Sequence, residues 1–447
     1  MTQRTSFWTS IAIILFAMVV RGGVLVARVD GLSDDPDAYR VIATTLAKTG
    51  VLGLPVGDEG AAPTAFRPPL YPWLLSLQVD SVGQLKNSSV AILHWLLGCL
   101  TVWFSYDIAR RLFSDRVAVV TGILVTLDPI LLWQSTLVMT ETLAAALTMA
   151  VCWWWVNRYH HDAQSKPACQ VSATSHLQSS AVLGLLLGLA FLCRPTFLVW
   201  AGLLIPAVLF VGPACRVRRG VSFAVAGIVF ASIVGAWTLR NLSAIGHPIW
   251  ATSHGGYTLL LGNNDSFYDY LKDRPLAAPW NSPAWDAEPF FADYAKRQSQ
   301  PDEVADDAAA YERAKSTIQN RPDEFVHSCW VRLGRLWQPF PHATPGRSTA
   351  SIVAVGLFYV IVDAMILFVL FHHRRALSLR YGRRMIIAWP AIALVITLSG
   401  VHSIYWSNPR MRAPANPVLA IVAATAFLSL KNFSCKDLNA TTAAAPD

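Results

Sequence analysis

Charge is scarce in this chain. Asp, Glu, Lys and Arg make up 14% of its 447 residues, against about 25% in ordinary soluble domains. So little charge cannot cover a soluble surface of this size, which excludes a soluble globular protein. Cysteine is thin as well. Cys99, Cys152, Cys169, Cys193, Cys215, Cys329 and Cys435 form no CxxC pair, which argues against a zinc or redox centre. Of these, Cys329 alone falls well inside a segment expected outside the cytosol, so no disulfide framework is expected there. No basic stripe interleaved with aromatics occurs, which excludes a nucleic-acid groove. There is no internal repeat, and no low-complexity tract beyond the Ala/Thr-rich tail from Asn439.

What the chain has is apolar sequence. The hydrophobic share is 54% and the mean hydropathy +0.40, the signature of a protein that crosses a bilayer many times. Runs long enough to span, about 17–25 residues, lie near 7–27, 88–109, 117–134, 138–157, 179–193, 196–212, 221–239, 350–371, 385–402 and 414–430. The expected fold is therefore all-α and polytopic, with about ten transmembrane helices. Arg4 before the first run raises the prospect of a signal peptide. The run is too long and lacks a small-residue cleavage site, so an uncleaved first span is expected. The 17 Trp suit interfacial positions, and Trp153 to Trp155 read as an inner belt.

Basic residues sort the loops. Arg110, Arg111 and Arg116 share one short loop, and Arg216, Arg218 and Arg219 another. Arg374, Arg375, Arg380, Arg383 and Arg384 fill a third, while Lys431 and Lys436 follow the last run. All fall on one side if both termini are cytoplasmic. The two long loops, 28–87 and 240–349, then face outward in a plasma-membrane protein. The chain divides into an N-terminal membrane module (1–239) carrying the first loop, a loop region (240–349), C-terminal spans (350–431) and a cytoplasmic tail (432–447).

The first loop opens on Asp34-Asp35-Pro36-Asp37, three acids in four residues. Asp35-Pro36 reads as a cap followed by a first-turn proline, and Gly50 as the helix stop. Tyr39, Ile42, Ala43 and Leu46 form an apolar stripe at helical spacing, as expected of a helix lying on the membrane surface. In the second loop, 303–319 and 322–338 read as helices. Their apolar sides carry Val304, Ala308, Tyr311 and Ile318, then Phe325, Cys329, Leu333 and Leu336, with Arg332 and Arg335 elsewhere around the turn.

Carboxylates at a membrane surface are suited to taking a proton from a hydroxyl. Cations on the outward side are exceptions to the charge rule: Arg67, Arg194, Arg240, Arg410 and Arg412, each able to fork two hydrogen bonds onto a phosphate. Arg21 lies within the first span. Each also has a plain structural role open to it: Asp35 a helix cap, the arginines snorkelling to head groups, Glu141 an ion-pair partner, His94 and His402 packed or hydrogen-bonded histidines.

The order of motifs resembles the GT-C glycosyltransferases, and within them glycosyltransferase family 39 and the protein-mannosyltransferase-like bacterial enzymes. The resemblance runs from Asp35 and Tyr39 through Ala47, Gly50 and Arg67-Pro68-Pro69-Leu70-Tyr71-Pro72. It continues with Glu141, Arg194-Pro195-Thr196, Trp237-Thr238-Leu239-Arg240-Asn241, Gly246-His247-Pro248-Ile249, Gly255-Gly256-Tyr257 and Gly262-Asn263-Asn264. It closes with Pro322 through Trp337-Gln338-Pro339 and Arg410-Met411-Arg412-Ala413-Pro414, about residues 10–430 in all.

The resemblance implies inverting transfer of a monosaccharide from a polyprenyl-phosphate carrier to an extracytoplasmic lipid, glycan or protein. It makes Asp35 or Asp37 the base; the family often shows an Asp-Glu pair where this chain has Asp35-Pro36, so both stay in play. It makes Arg67, Arg194, Arg240, Arg410 and Arg412 donor-phosphate ligands, and Tyr39, Tyr71, Glu141 and Asn263 positioning groups. No metal ligand set is expected, and a divalent cation near Asp34, Asp35 and Asp37 is left open. A lipid-linked oligosaccharide ligase or polymerase is the nearest alternative. A flippase comes after it, because the charges cluster at one face and no repeat is present.

Overall fold

The computed structural model describes residues 3–57, 60–164, 173–210, 216–273, 302–342, 347–377 and 382–427. In chain order, α1 (Gln3–Ala27) leads through a 3-10 turn (Val29–Ser33) to α2 (Tyr39–Thr49). A hairpin of β1 (Gly53–Val56) and β2 (Gly60–Pro63) follows, then α3 (Leu70–Ser76). Next come α4 (Asn87–Leu112), α5 (Asp115–Leu127), α6 (Pro129–Ser135), α7 (Glu141–Gln164), α8 (Ala173–Cys193), α9 (Phe197–Ala207) and α10 (Arg216–Ile245). The second long loop carries α11 (Gly255–Gly262), α12 (Asp265–Asp273), α13 (Glu303–Asn320) and α14 (Pro322–Trp337). Then α15 (Thr349–Leu377), α16 (Gly382–Ile404), a 3-10 turn (Pro409–Ala415) and α17 (Asn416–Ala424) complete the described chain.

Among the described residues, four helices are long and apolar enough to cross a membrane: Trp8–Ala27, Asn87–Leu112, Arg216–Ile245 and Thr349–His372. The bent pair α5 and α6 adds a fifth, and Leu177–Cys193, Phe197–Ala207 and Ala388–Ile404 are shorter apolar helices. With α7 and α17, each expected apolar run carries helix within the described residues, and the protein is an all-α polytopic membrane protein.

α4 packs against α1, α5 and α7, and α8 against α10. Arg21, buried within α1, donates to the Val125 carbonyl at 2.8 Å and so ties α1 to α5. Within a bundle of apolar helices a buried guanidinium needs such a partner.

Several expectations are corrected. The third run is not one continuous helix: α5 and α6 bend by 48° at Asp128. Pro129 has no N–H to give and disfavours helical backbone at Asp128, which instead caps α6 by accepting the Leu131 N–H at 2.9 Å. The tryptophan run is no simple belt, since Trp155 is fully buried and Trp153 donates to Asp107 at 2.8 Å. The first loop contains a two-stranded antiparallel hairpin, Gly53 opposite Pro63, in a chain read as all helical.

α2 starts at Tyr39 and not at Pro36, because Ala38 takes a left-handed φ of 59°. Its stripe of Tyr39, Ile42 and Ala43 is buried, and α2 packs on α3 rather than offering that stripe outward. Gly50 does end α2, with φ 73° and its N–H on the Leu46 carbonyl.

In the second loop, α13 buries Ala310, Ala314 and Thr317, not Ala308. α14 buries Arg332 and Arg335 along with Val331 and Leu336. Residues 274–300, the tail 432–447, Lys431, Lys436, Arg380, Cys169, Cys215 and Cys435 lie outside the described residues.

Candidate active site

The acidic turn is built by α2 and by the segment after β2. Asp35 Oδ2 accepts the Val41 N–H at 3.0 Å, closing the first turn of α2. Its Oδ1 is buried and has no hydrogen-bond partner among the described residues. Asp37 is held differently. Arg67 donates from Nη2 to Asp37 Oδ1 at 2.7 Å and from Nε to the Asp37 carbonyl at 2.9 Å. The guanidinium also lies 4.4 Å from the Phe66 ring centroid and 5.8 Å from that of Tyr39. Both members of this ion pair are partly screened from solvent, which strengthens it over a surface pair. Asp34 is exposed.

Behind the acids stand two phenols. Tyr39 and Tyr71 meet edge to face, ring centroids 5.1 Å apart. Burial pushes both hydroxyls above their usual range, so they remain O–H donors. Tyr39 also feels Arg67, Asp37 and Glu141, while Tyr71 feels Glu141 and Asp35. The phenols therefore lie within electrostatic reach of both the acidic turn and Glu141. Tyr71 Oη lies 2.7 Å from His94 Nε2, and His94 Nδ1 lies 2.7 Å from the Ser135 carbonyl. Because a carbonyl accepts, His94 carries its proton on Nδ1 and receives the Tyr71 O–H at Nε2. His94 and His402 are thus hydrogen-bonded histidines, the latter at 3.1 Å from the Trp406 carbonyl.

Glu141 opens α7 and is 3% exposed. Two guanidiniums converge on one of its oxygens: Arg194 Nη1 at 3.7 Å and Arg410 Nε at 3.8 Å. Both separations exceed hydrogen-bonding range. Arg194 Nη2 contacts Met411 Sδ at 3.0 Å, and Arg410 Nη1 contacts Met139 Sδ at 2.7 Å. A thioether is a weak acceptor. Glu141 Oε2, Arg194 Nη1 and Arg410 Nε have no hydrogen-bond partner among the described residues. Two cations against one anion leave an excess positive charge and open N–H groups in a buried place. This arrangement suits an incoming anion.

The acids, Arg67, both phenols, Glu141, Arg194 and Arg410 therefore belong to one neighbourhood. Three other expected residues are employed elsewhere. Arg240 donates from Nη1 to the Thr64 carbonyl at 2.9 Å and from Nη2 to the Leu52 carbonyl, fastening the first loop to the end of α10. Asn263 is buried, donating to the Leu259 and Ile404 carbonyls and accepting from Tyr268 and Arg332. Arg412 points to the other side of the 3-10 turn, its guanidinium carbon 4.2 Å from the Tyr359 ring centroid and Nη1 donating to the Trp337 carbonyl at 2.8 Å.

The second loop also contributes His254, which its sequence did not single out. His254 meets Phe66 edge to face, centroids 4.6 Å apart, and stacks on Tyr257 at 4.7 Å. Burial, with the nearby Arg67 charge, pulls His254 down to about 3, so it is a neutral ring here. Gly255-Gly256 marked the spot: a Cβ at Gly256 would stand 2.1 Å from the Asp307 carbonyl, so only glycine permits that approach. Among the described residues, no three His, Cys, Asp or Glu side chains come together as metal ligands.

Residues 66–238 match the model of the dolichyl-phosphate-mannose-protein mannosyltransferase family. Asp35, Asp37 and Arg410 lie outside that stretch. No curated protein sequence matches the chain. Among solved structures, the oligosaccharyltransferase AglB of Archaeoglobus fulgidus, in complex with an inhibitory peptide and a dolichol-phosphate, is similar at 15% identity and TM-score 0.52. The match covers 100% of this chain and 53% of that one. The same protein tethered to an acceptor peptide gives 15% identity and TM-score 0.53 over 95% and 50% of the two chains. The chain thus spans about half the length of the AglB structures it matches. ArnT from Cupriavidus metallidurans bound to undecaprenyl phosphate gives 15% identity and TM-score 0.40 over 93% and 77%. The fold is of the GT-C type.

Proposed function

We propose that this GT-C-fold chain is a membrane glycosyltransferase that moves a monosaccharide, with inversion, from a polyprenyl-phosphate carrier to a hydroxyl acceptor on the non-cytoplasmic side. The observation that carries it is the pairing of a buried carboxylate oxygen without a partner, Asp35 Oδ1, with two under-satisfied guanidiniums around Glu141. The first is a base in want of a proton. The second is a cradle in want of an anion. The family match over 66–238 supports a lipid-phosphate donor, and the clustering of cations in the short loops supports the sidedness.

In this reading the acceptor hydroxyl gives its proton to Asp35 as its oxygen attacks the anomeric carbon. The bond from that carbon to the phosphate oxygen breaks, and the electron pair leaves with the polyprenyl phosphate. Arg194 and Arg410 meet the growing phosphate charge, as preorganised cations stabilise a developing anion. Glu141 holds the two guanidiniums apart and aimed. Asp37, already bonded to Arg67, shapes the turn and leaves Asp35 the better base. Tyr39 and Tyr71 wall the space between.

A positioned base contributes about 10²- to 10⁴-fold. Asp35→Asn is expected to lose turnover in that range in membranes supplied with a lipid-phosphate-linked sugar, while the protein still folds. Wild-type turnover in that variant would overturn the reading. Similarity to an oligosaccharyltransferase fold favours, as a second reading, transfer of a lipid-linked oligosaccharide. A panel of mono- and oligosaccharide donors separates the two.

A further inference from the structure

The segment Thr64 to Arg67 runs from the end of β2 to the acidic turn, and it is fastened from three directions. From the second loop, Glu303, the first residue of α13, accepts the Ala65 N–H at Oε1 (2.8 Å) and the Thr64 hydroxyl at Oε2. From α10, Arg240 donates to the Thr64 carbonyl at 2.9 Å. From the start of the second loop, the Ser253 N–H donates to the Ala65 carbonyl at 3.0 Å. Thr64 and Ala65 are buried as a result. Two residues on, Arg67 makes its two hydrogen bonds to Asp37, and Phe66 meets His254.

The same end of α13 has a second grip. Asp307, one turn after Glu303, accepts the Gly256 N–H at 2.6 Å. Residues four apart share a helix face, so one face of α13 holds the first loop through Glu303 and the start of α11 through Asp307. A carboxylate spanning 238 residues of sequence to bond a buried backbone N–H and hydroxyl is a specific attachment.

We infer that Glu303 is a positioning residue: from the second loop it fixes Thr64 and Ala65, and through them sets the Arg67 and Asp37 pair in the turn that carries Asp35. The kinetic part of this inference rests on the sugar-transfer reading, while the mechanical part does not. Misplacing a reacting group by about 1 Å can cost roughly 10²-fold, so the loss is expected in turnover and not in donor affinity.

Two variants in the full-length chain test it. Glu303→Ala removes both acceptors. Glu303→Gln keeps both bonds, since its Oε1 can accept from Ala65 and its Nε2 can donate to Thr64. In hydrogen exchange followed by mass spectrometry on the detergent-purified protein, Glu303→Ala is expected to speed exchange in peptides covering 60–67 and 35–41 together. Glu303→Gln should stay near wild type, and peptides from α7 should be unchanged in both. Unchanged exchange at 60–67, or loosening there without loosening at 35–41, would overturn the coupling. With polyprenyl-phosphate mannose as the probe in native membranes, Glu303→Ala should lower kcat about ten- to hundred-fold at unchanged donor KM, and Glu303→Gln should restore most of it. A loss confined to donor KM, or none, overturns the positioning role. If wild-type protein transfers no sugar from any lipid-linked donor, the functional reading fails, and the exchange arm alone still decides the attachment.

Discussion

Arg410 and Arg412 stand two residues apart on one 3-10 turn and enter two different polar clusters. On the Arg410 side the carboxylate is Glu141, approached by two guanidiniums at 3.7 and 3.8 Å and left with a bare Oε2. On the Arg412 side it is Asp128, whose Oδ1 accepts from Leu131 N–H at 2.9 Å, from Tyr359 at 2.8 Å and from Asn416 at 3.2 Å. Both acids are buried. One has its hydrogen bonds, and the other has charges near it without them. A saturated buried anion at a helix break is a structural fitting. An unsaturated one flanked by surplus cation is costly to keep unless something binds there. Among the described residues, Arg412 Nε and Nη2 are themselves without hydrogen-bond partners, but the guanidinium lies over the Tyr359 ring, on the side of an acid whose Oδ1 already accepts three bonds.

The sharpest test of this contrast is Arg410→Ala beside Arg412→Ala. Losing one preorganised donor to a developing charge costs about 10²- to 10³-fold in kcat. Arg410→Ala, like Arg194→Ala, should fall in that range with little change in thermal stability. Arg412→Ala should instead lower the unfolding temperature in detergent and leave the turnover of folded protein within a few-fold. Equal losses of turnover at unchanged stability would erase the distinction and return Arg412 to the phosphate site.

The sequence carried the span pattern well, because apolar runs in a bilayer protein have few alternatives to helices. It also offered Asp35, Asp37, Arg67, Glu141, Arg194 and Arg410 as candidates, on charge conspicuous against an apolar background, and the structure gathers Arg67 with Asp37 and both Arg194 and Arg410 with Glu141. It did not separate Arg410 from Arg412, since a 3-10 turn sends neighbouring side chains to different sides and local sequence does not say where each lands. Nor does it show that Arg240 bonds the Leu52 and Thr64 carbonyls, since these partners are more than 170 residues away. Glu303 passed as an ordinary first-turn acid. The Asp128-Pro129 break carries a local signal, an acid followed by a first-turn proline, that the apolar run around it masks.

Stability should divide the clusters in the opposite sense. Asp128→Ala leaves the Leu131 N–H and the Tyr359 O–H without their acceptor, takes one of two acceptors from Asn416 Nδ2 and uncaps α6. Leaving one such buried donor unpaired costs about 1–3 kcal/mol. A clear fall in unfolding temperature is therefore expected for Asp128→Ala, and a smaller one for Glu141→Ala, whose carboxylate makes no hydrogen bond among the described residues. A Glu141→Ala protein less stable than Asp128→Ala would show that the Glu141 cluster is the structural one.

A third carboxylate, Asp307, refines the comparison with a pH axis and the smallest effect. Burial raises it from 3.8 to about 6, against the opposing pull of the Gly256 and Tyr257 N–H groups and with a further push from Glu303. Because the docked value lies above the undocked one, docking of α13 on the start of α11 favours the protonated acid. Its contribution is complete below the undocked value and is lost as pH rises through about 6. After correction for intrinsic rates, amides of 255–262 should exchange more slowly at pH 5 than at pH 7.5. Asp307→Asn, which cannot ionise, should flatten that difference, while Glu303→Gln, which removes only the smaller push and leaves the burial that dominates, should keep most of it. A pH difference that survives in Asp307→Asn would assign the effect to another group and leave Asp307 with Asp128, as an acid whose bonds are simply filled.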